Sequence, residues 1–246
     1  NIGIKDFQWF ERFIQFISDY YEFIDPHNID KEFLISSRKP KILLTFDDGF
    51  YSNKILAEKV LQKYDIKSIF FLTEDFIGLE KEEILPFIKK TFYPSSSLDI
   101  SDLDGYSAMS WKDVNWLSKN GHMIGAHTKS HPFLSKIEDK DQLLNEIIFS
   151  ADRMEEKIDA KINCFAFPFG SAISINNDII YMAKKRFDFL FSNVRGNVLE
   201  SPGRGFIFRQ NIVPKDPIWL IRMMIDGQLD WIYSRTRNDA KNRFAD

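Results

Sequence analysis

Scarcity sets the first limits on this chain of 246 residues. It holds one cysteine, Cys164, so no disulfide can form within it. That residue sits in an apolar run and reads as a small buried side chain, compatible with a reducing compartment. No apolar stretch approaches the ~20 residues that a membrane-spanning helix needs, and no secretory leader is visible. A cytoplasmic setting is the first expectation. Because the sequence starts at Asn1, a secreted or periplasmic setting follows instead if a leader has been removed. No long basic block appears, and the formal net charge is -3. That argues against nucleic acid as the main partner, since phosphate binding draws on clustered Lys and Arg. Histidine is sparse too: His27, His122, His127 and His131 are all there is.

Apolar material is plentiful by contrast. With 44% hydrophobic residues and 24 phenylalanines, the chain can bury a large core and still line a cleft with aromatic rings. Its length fits one large α/β domain or two small ones. Neither a repeat nor a domain-sized linker is visible, so a single domain over 1–246 is expected, with its core at 40–210.

Periodicity supplies the elements. Phe7, Phe10, Phe13, Ile14, Ile17, Tyr20, Tyr21 and Ile24 recur at helical spacing, which predicts an amphipathic helix over 6–24. Its mixed-charge polar face argues for packing on the main domain over membrane binding. The apolar run from Lys41, bounded by Pro40 and Gly49, predicts a buried strand. Further strands are expected at 67–73, 122–128, 162–167, 187–192 and 205–209, alternating with helices at 53–64, 80–92, 111–120, 141–157, 176–186 and 216–226. Ser110 caps the helix at 111, Gly121 ends it, 94–105 reads as a long loop, and a polar tail closes the chain. Nearly continuous apolar strands alternating with helices mean a parallel sheet covered by helices.

The chemistry-bearing residues recur where such strands end: Asp47-Asp48, His127 and His131, Pro168 to Gly170, and Arg209. Active sites of barrel folds collect at that edge. Adjacent carboxylates resist joint ionisation unless a cation lies between them or their roles differ; a solvated Asp-Gly turn is the bland alternative. Two histidines four apart can reach one cation from a helical turn or tight loop. Together with one carboxylate they form a facial triad suited to a hydrolytic zinc or a related divalent metal. The second carboxylate is then available as a base.

These residues resemble a family. Thr45 to Gly49 looks like the first motif of the polysaccharide deacetylases, the NodB-homology proteins of carbohydrate esterase family 4. His127-Thr128-Lys129-Ser130-His131 is similar to their second motif, and the run from Ser110 to Leu134 resembles the approach to it. Phe165 to Gly170 resembles the third motif. The likeness spans roughly 40–210. It implies a distorted (β/α) barrel of seven or eight mostly parallel strands.

The resemblance also implies roles. Asp47 would be the base, and Asp48, His127 and His131 the ligands of a divalent metal, Zn²⁺ first and Co²⁺ or another transition metal second. That metal would polarise the acyl carbonyl and acidify water. The Phe169 N–H would help hold the oxyanion. Phe167, Pro168, Phe169 and Gly170 would meet the substrate, an N-acetylated sugar or polysaccharide. Two departures stand out. Ala166 occupies the place of an arginine that steadies the base in many members, and Arg209 is the candidate replacement. No histidine follows His131, so the late acid of the family is absent. His122, five residues before His127 in a strand, would lie roughly 16 Å away. The acid is then another residue, a water, or Asp47 returning its proton.

The expected function is metal-dependent removal of an N-acetyl group from an amino sugar of a surface polysaccharide or its precursor. A catalytically weak or inactive relative that binds glycan is the alternative. A magnesium-dependent phosphohydrolase ranks below both, because an oxygen-only site has no use for the two histidines.

Overall fold

In the computed structural model, residues 3–32, 37–93, 106–171, 173–198, 201, 205–214 and 216–244 are described. The expected loop at 94–105 lies outside them. The chain divides into two compact units, Asn1–Ile124 and Gly125–Asp246.

The first unit opens with α1 (Phe7–Tyr20), which buries Phe10, Phe13, Ile14 and Ile17, the stripe that its spacing predicts. The helix stops four residues before the expected Ile24. Tyr21 is extended, and β1 (Glu22–Phe23) pairs in parallel with β2 (Lys41–Ile42) in a two-stranded sheet of their own. The apolar run that begins at Lys41 is therefore two strands, not one. Only β3 (Thr45–Phe46) belongs to the main sheet, pairing in parallel with β4 (Ile69–Leu72). A short helix α2 (Ile29–Glu32) lies before β2.

After β3 come α3 (Tyr51–Leu56), a π turn at Ala57–Leu61 and a 3₁₀ turn at Gln62–Tyr64. The helical run ends at Asp65, which is left-handed. All four residues of β4 are buried, and Phe70 stacks on Phe46 at 5.0 Å. The capping box of α4 (Lys81–Thr91) is Glu80 with Glu83; that of α5 (Trp111–Lys119) is Ser110 with Asp113. Then β5 (Met123–Ala126) begins.

In the second unit α6 (Lys140–Leu144), a π turn at Asn145–Phe149 and α7 (Ser150–Ile158) form one helical run. It is followed by β6 (Cys164–Ala166), α8 (Asn177–Lys184), β7 (Phe189–Phe191), β8 (Phe206–Ile207) and α9 (Ile218–Ile225). The expected polar tail is a helix, α10 (Asp230–Phe244). Its anchor is Arg237, 5% exposed, whose guanidinium donates to the carbonyls of Asp230 at 2.9 Å and Arg195 at 3.4 Å.

The main sheet runs β3-β4-β5-β6-β7-β8, six strands among the described residues against seven or eight expected. The registered pairs are parallel, so the α/β parallel architecture holds. Among the described residues no helix is long and apolar enough to cross a membrane.

His122 shows what the interior does to a titratable group. It is buried, accepts the Ser68 N–H on Nδ1 at 3.3 Å, and lies edge-on to Phe70. Burial, then Lys67 and His27, push its pKa from 6.5 down to about 4. Between those values the unfolded state binds the proton and the folded state does not, so stability falls as pH drops through the window. At 1.36 kcal/mol per unit the loss reaches about 3 kcal/mol. Denaturant unfolding from pH 7 to 4 should show that slope in the wild type and a correspondingly flatter one in His122→Gln.

Candidate functional site

β3 ends in a left-handed turn. Asp48 has φ of 79° and Gly49 of 100°, which breaks the alternation of the strand just where the two carboxylates follow one another. A Cβ on Gly49 would press into the Ile77 side chain. The Asp48 carbonyl accepts the Thr73 N–H at 3.3 Å and the Gly49 carbonyl that of Met109 at 3.0 Å. Both aspartates are half-buried. Burial, then the Asp48 charge and Tyr106, push the Tyr93 phenol up to about 12, so it stays protonated beside that carboxylate at neutral pH.

β5 stops at Ala126, one residue before His127 and two short of the expected Thr128. Thr128 (φ 66°) and His131 (φ 59°) are both left-handed, a conformation rare for residues with a Cβ and rarer for β-branched ones. The Thr128 hydroxyl accepts the His131 N–H at 2.9 Å. Glu146 takes the Lys129 N–H on its main-chain oxygen at 3.0 Å. Its carboxylate accepts the Ser130 N–H at 2.8 Å and hydroxyl at 2.7 Å. This folding brings the two imidazole centroids to 4.9 Å, and both rings are buried. His127 Nδ1 lies 2.7 Å from the Ala166 carbonyl. A carbonyl only accepts, so Nδ1 carries the proton and the lone pair sits on Nε2, the usual arrangement of a ligating histidine.

Asp48, His127 and His131 each offer one ligand atom, and these atoms all lie within 4.8 Å of one another. Two buried imidazoles with one carboxylate are a donor set that fits Zn²⁺ or a related divalent ion and leaves coordination positions open.

The loop after β6 is held from one side. Phe169 (φ 60°) and Gly170 (φ 52°) are left-handed, and a Cβ on Gly170 would run into the main-chain nitrogen of Asn193. Asn193 donates its N–H to the Gly170 carbonyl at 2.9 Å and its amide to the Phe169 carbonyl at 3.4 Å. Arg209 in turn donates to Asn193 Oδ1 at 2.8 Å and to the Ser192 carbonyl at 3.0 Å. Phe167 is fully buried, edge-on to Phe165 and stacked with Phe206. Pro168 is buried too. That leaves the half-buried Phe169, stacked on Phe133 at 4.0 Å and edge-on to His131 at 4.8 Å, as the ring of this loop able to meet a ligand.

Among the described residues the left-handed positions other than glycine are Asp48, Asp65, Thr128, His131, Asp159 and Phe169. Asp65 and Asp159 end helical runs, where this conformation is routine. The other four lie in the three strand-end segments singled out from the sequence. Each such residue costs on the order of 1–3 kcal/mol and persists only where its surroundings over-determine it.

The model of one family, polysaccharide deacetylase, matches residues 35–186. The chain belongs to the polysaccharide deacetylase family. A peptidoglycan-N-acetylglucosamine deacetylase of Bacillus cereus is 28% identical over 145 residues, 58% of this chain and 35% of that protein. An uncharacterised 30.6 kDa protein of Geobacillus stearothermophilus is 26% identical over 121 residues, 48% of this chain and 33% of that protein. The chain thus spans about a third of the length of these curated relatives. Among solved structures, the Streptococcus pyogenes deacetylase PplD in complex with acetate is 17% identical, covering 89% of this chain and 84% of that one at a TM-score of 0.61. A de-N-acetylase of Aggregatibacter actinomycetemcomitans is 16% identical, covering 87% of each chain at a TM-score of 0.66. At such identities the likeness establishes a shared fold.

Sequence reasoning passed over Glu146 and Asn193, the two residues that shape the family's second and third motif loops here. For Glu146 a signal existed. It falls at the spacing of Leu143, Ile147, Ala151 and Met154, the buried stripe of its helical run, where a solvated glutamate has no reason to be. Asn193 carries no such mark. The packing at Gly170 is directly testable: Gly170→Ala should lower stability by about 1–3 kcal/mol through overpacking, read as a shift of the urea midpoint at unchanged m-value.

Proposed function

We propose that this chain hydrolyses the N-acetyl group of an amino sugar in a surface polysaccharide or its precursor, releasing acetate and a free amine. Asp48, His127 and His131 would hold the divalent metal, Zn²⁺ or Co²⁺. The observation that carries this reading is the grouping of those three ligand atoms within 4.8 Å of one another in a chain of the deacetylase family. The bound cation supplies Lewis-acid polarisation of the acyl oxygen and a lowered pKa for water.

The chain's own groups do the rest. Asp47 takes the proton of the attacking water; a general base contributes about 10²–10⁴-fold. The Phe169 N–H donates to the oxyanion, and a donor of this kind is worth about 10²–10³ in rate. Arg209 stands in for the arginine that Ala166 replaces; its bonds to Asn193 and to the Ser192 carbonyl hold its guanidinium at the third motif loop. With no histidine after His131 in the sequence, Asp47 returns its proton to the leaving amine. The half-buried Phe169 offers an aromatic face to the C–H surface of a sugar ring. The residue at Ala166 also favours a second reading, a relative that binds glycan without turning it over.

Acetate release from N-acetylglucosamine oligomers separates the two. Chelator treatment should abolish release and Zn²⁺ or Co²⁺ restore it, while Asp47→Asn lowers it by at least about 10²-fold without loss of fold. Wild-type rates in Asp47→Asn would remove the base assignment. Micromolar oligomer binding by the metal-loaded wild type with no acetate released would establish the second reading.

A further inference from the structure

The helical run that follows the histidine turn carries a carboxylate among its buried residues. Leu143, Ile147, Ala151 and Met154 face the interior, and Glu146, 5% exposed, shares their side. A charge removed from water is costly unless it is fully hydrogen-bonded. Here both carboxylate oxygens are spent on one residue, Oε2 on the Ser130 N–H and Oε1 on the Ser130 hydroxyl. The main-chain oxygen of Glu146 also accepts the Lys129 N–H.

The backbone here is adapted to that use. Glu146 lies in the π turn Asn145–Phe149, and turns of this kind take carbonyls off the regular helical ladder, often at functional positions. Lys129 and Ser130 are the two residues enclosed between left-handed Thr128 and left-handed His131. One glutamate therefore pins two of the three residues between the histidines.

We infer that Glu146 is a positioning residue for the histidine pair: by clamping Lys129 and Ser130 it holds Thr128 and His131 left-handed and so sets the spacing of the two imidazoles. Glu146 touches neither substrate nor reacting atoms in this role. It acts through His127 and His131, and the inference rests on reading those two as metal ligands. Partners that orient ligands in this way are typically worth 10–100-fold in metal affinity.

Co²⁺ titration of the metal-stripped protein, followed by visible absorption and calorimetry, reads the effect without substrate. Glu146→Ala should bind Co²⁺ about 10–100-fold more weakly and with an altered ligand-field spectrum. Glu146→Gln keeps an acceptor for the Ser130 N–H and an amide for its hydroxyl, so it should stay within about threefold of the wild type. Wild-type affinity and spectrum in a folded Glu146→Ala would overturn the inference alone. No Co²⁺ uptake by the wild type would overturn the ligand reading and this inference with it. Should Glu146→Ala not fold, Ser130→Ala decides: weakening of about 3–10-fold supports the clamp, and unchanged affinity removes it.

Discussion

Two imidazoles four residues apart can share a cation only if the chain doubles back between them. On an extended strand the same spacing would separate their Cα atoms by roughly 13 Å, yet the rings of His127 and His131 lie 4.9 Å apart. The fold of that turn is the constraint on which the candidate site depends. It is why β5 ends before His127, why Thr128 and His131 are left-handed, and why Ser130 is bound through both its backbone and its hydroxyl. An isolated five-residue segment would not hold such a shape. It is over-determined from outside, by Glu146 on one side and by the Ala166 carbonyl on His127 on the other.

The third motif loop solves a similar problem with different chemistry. Phe169 and Gly170 are also left-handed, but they are fixed by close contact with Asn193, which Arg209 holds in turn. One loop is secured by a buried charge and the other by main-chain packing. Their tolerance to change differs accordingly. The first depends on hydrogen-bond acceptors that an isostere can partly mimic, the second on a side chain being absent.

Strong local patterns were legible from residues alone. The buried stripe of α1, the run Ile69–Leu72 and the cap at Ser110 all appear where spacing and capping chemistry put them. The three candidate ligands stood out because Asp-Asp-Gly and a histidine pair are unusual endings for apolar strands. Reading failed where a distant partner decided the outcome. Lys41–Ile42 continues the apolar run of β3, but it pairs with Glu22–Phe23, and no local signal announces that. α10 has too weak a pattern to be called a helix by periodicity; the buried Arg237, bonded to Asp230 and to Arg195, ties it down. Phe167, assigned to a sugar-binding floor, is a core residue packed on Phe165 and Phe206. Glu146 was passed over, although it shares the buried side of Leu143, Ile147, Ala151 and Met154.

The hydrogen bond from His127 to residue 166 runs to the main chain, not to a side chain. Every amino acid carries that carbonyl. The side chain at this position, a methyl group here, can therefore change without disturbing the tautomer of the histidine. Such decoupling leaves the side chain at 166 a free variable: it can be exchanged while the histidine keeps its lone pair on Nε2.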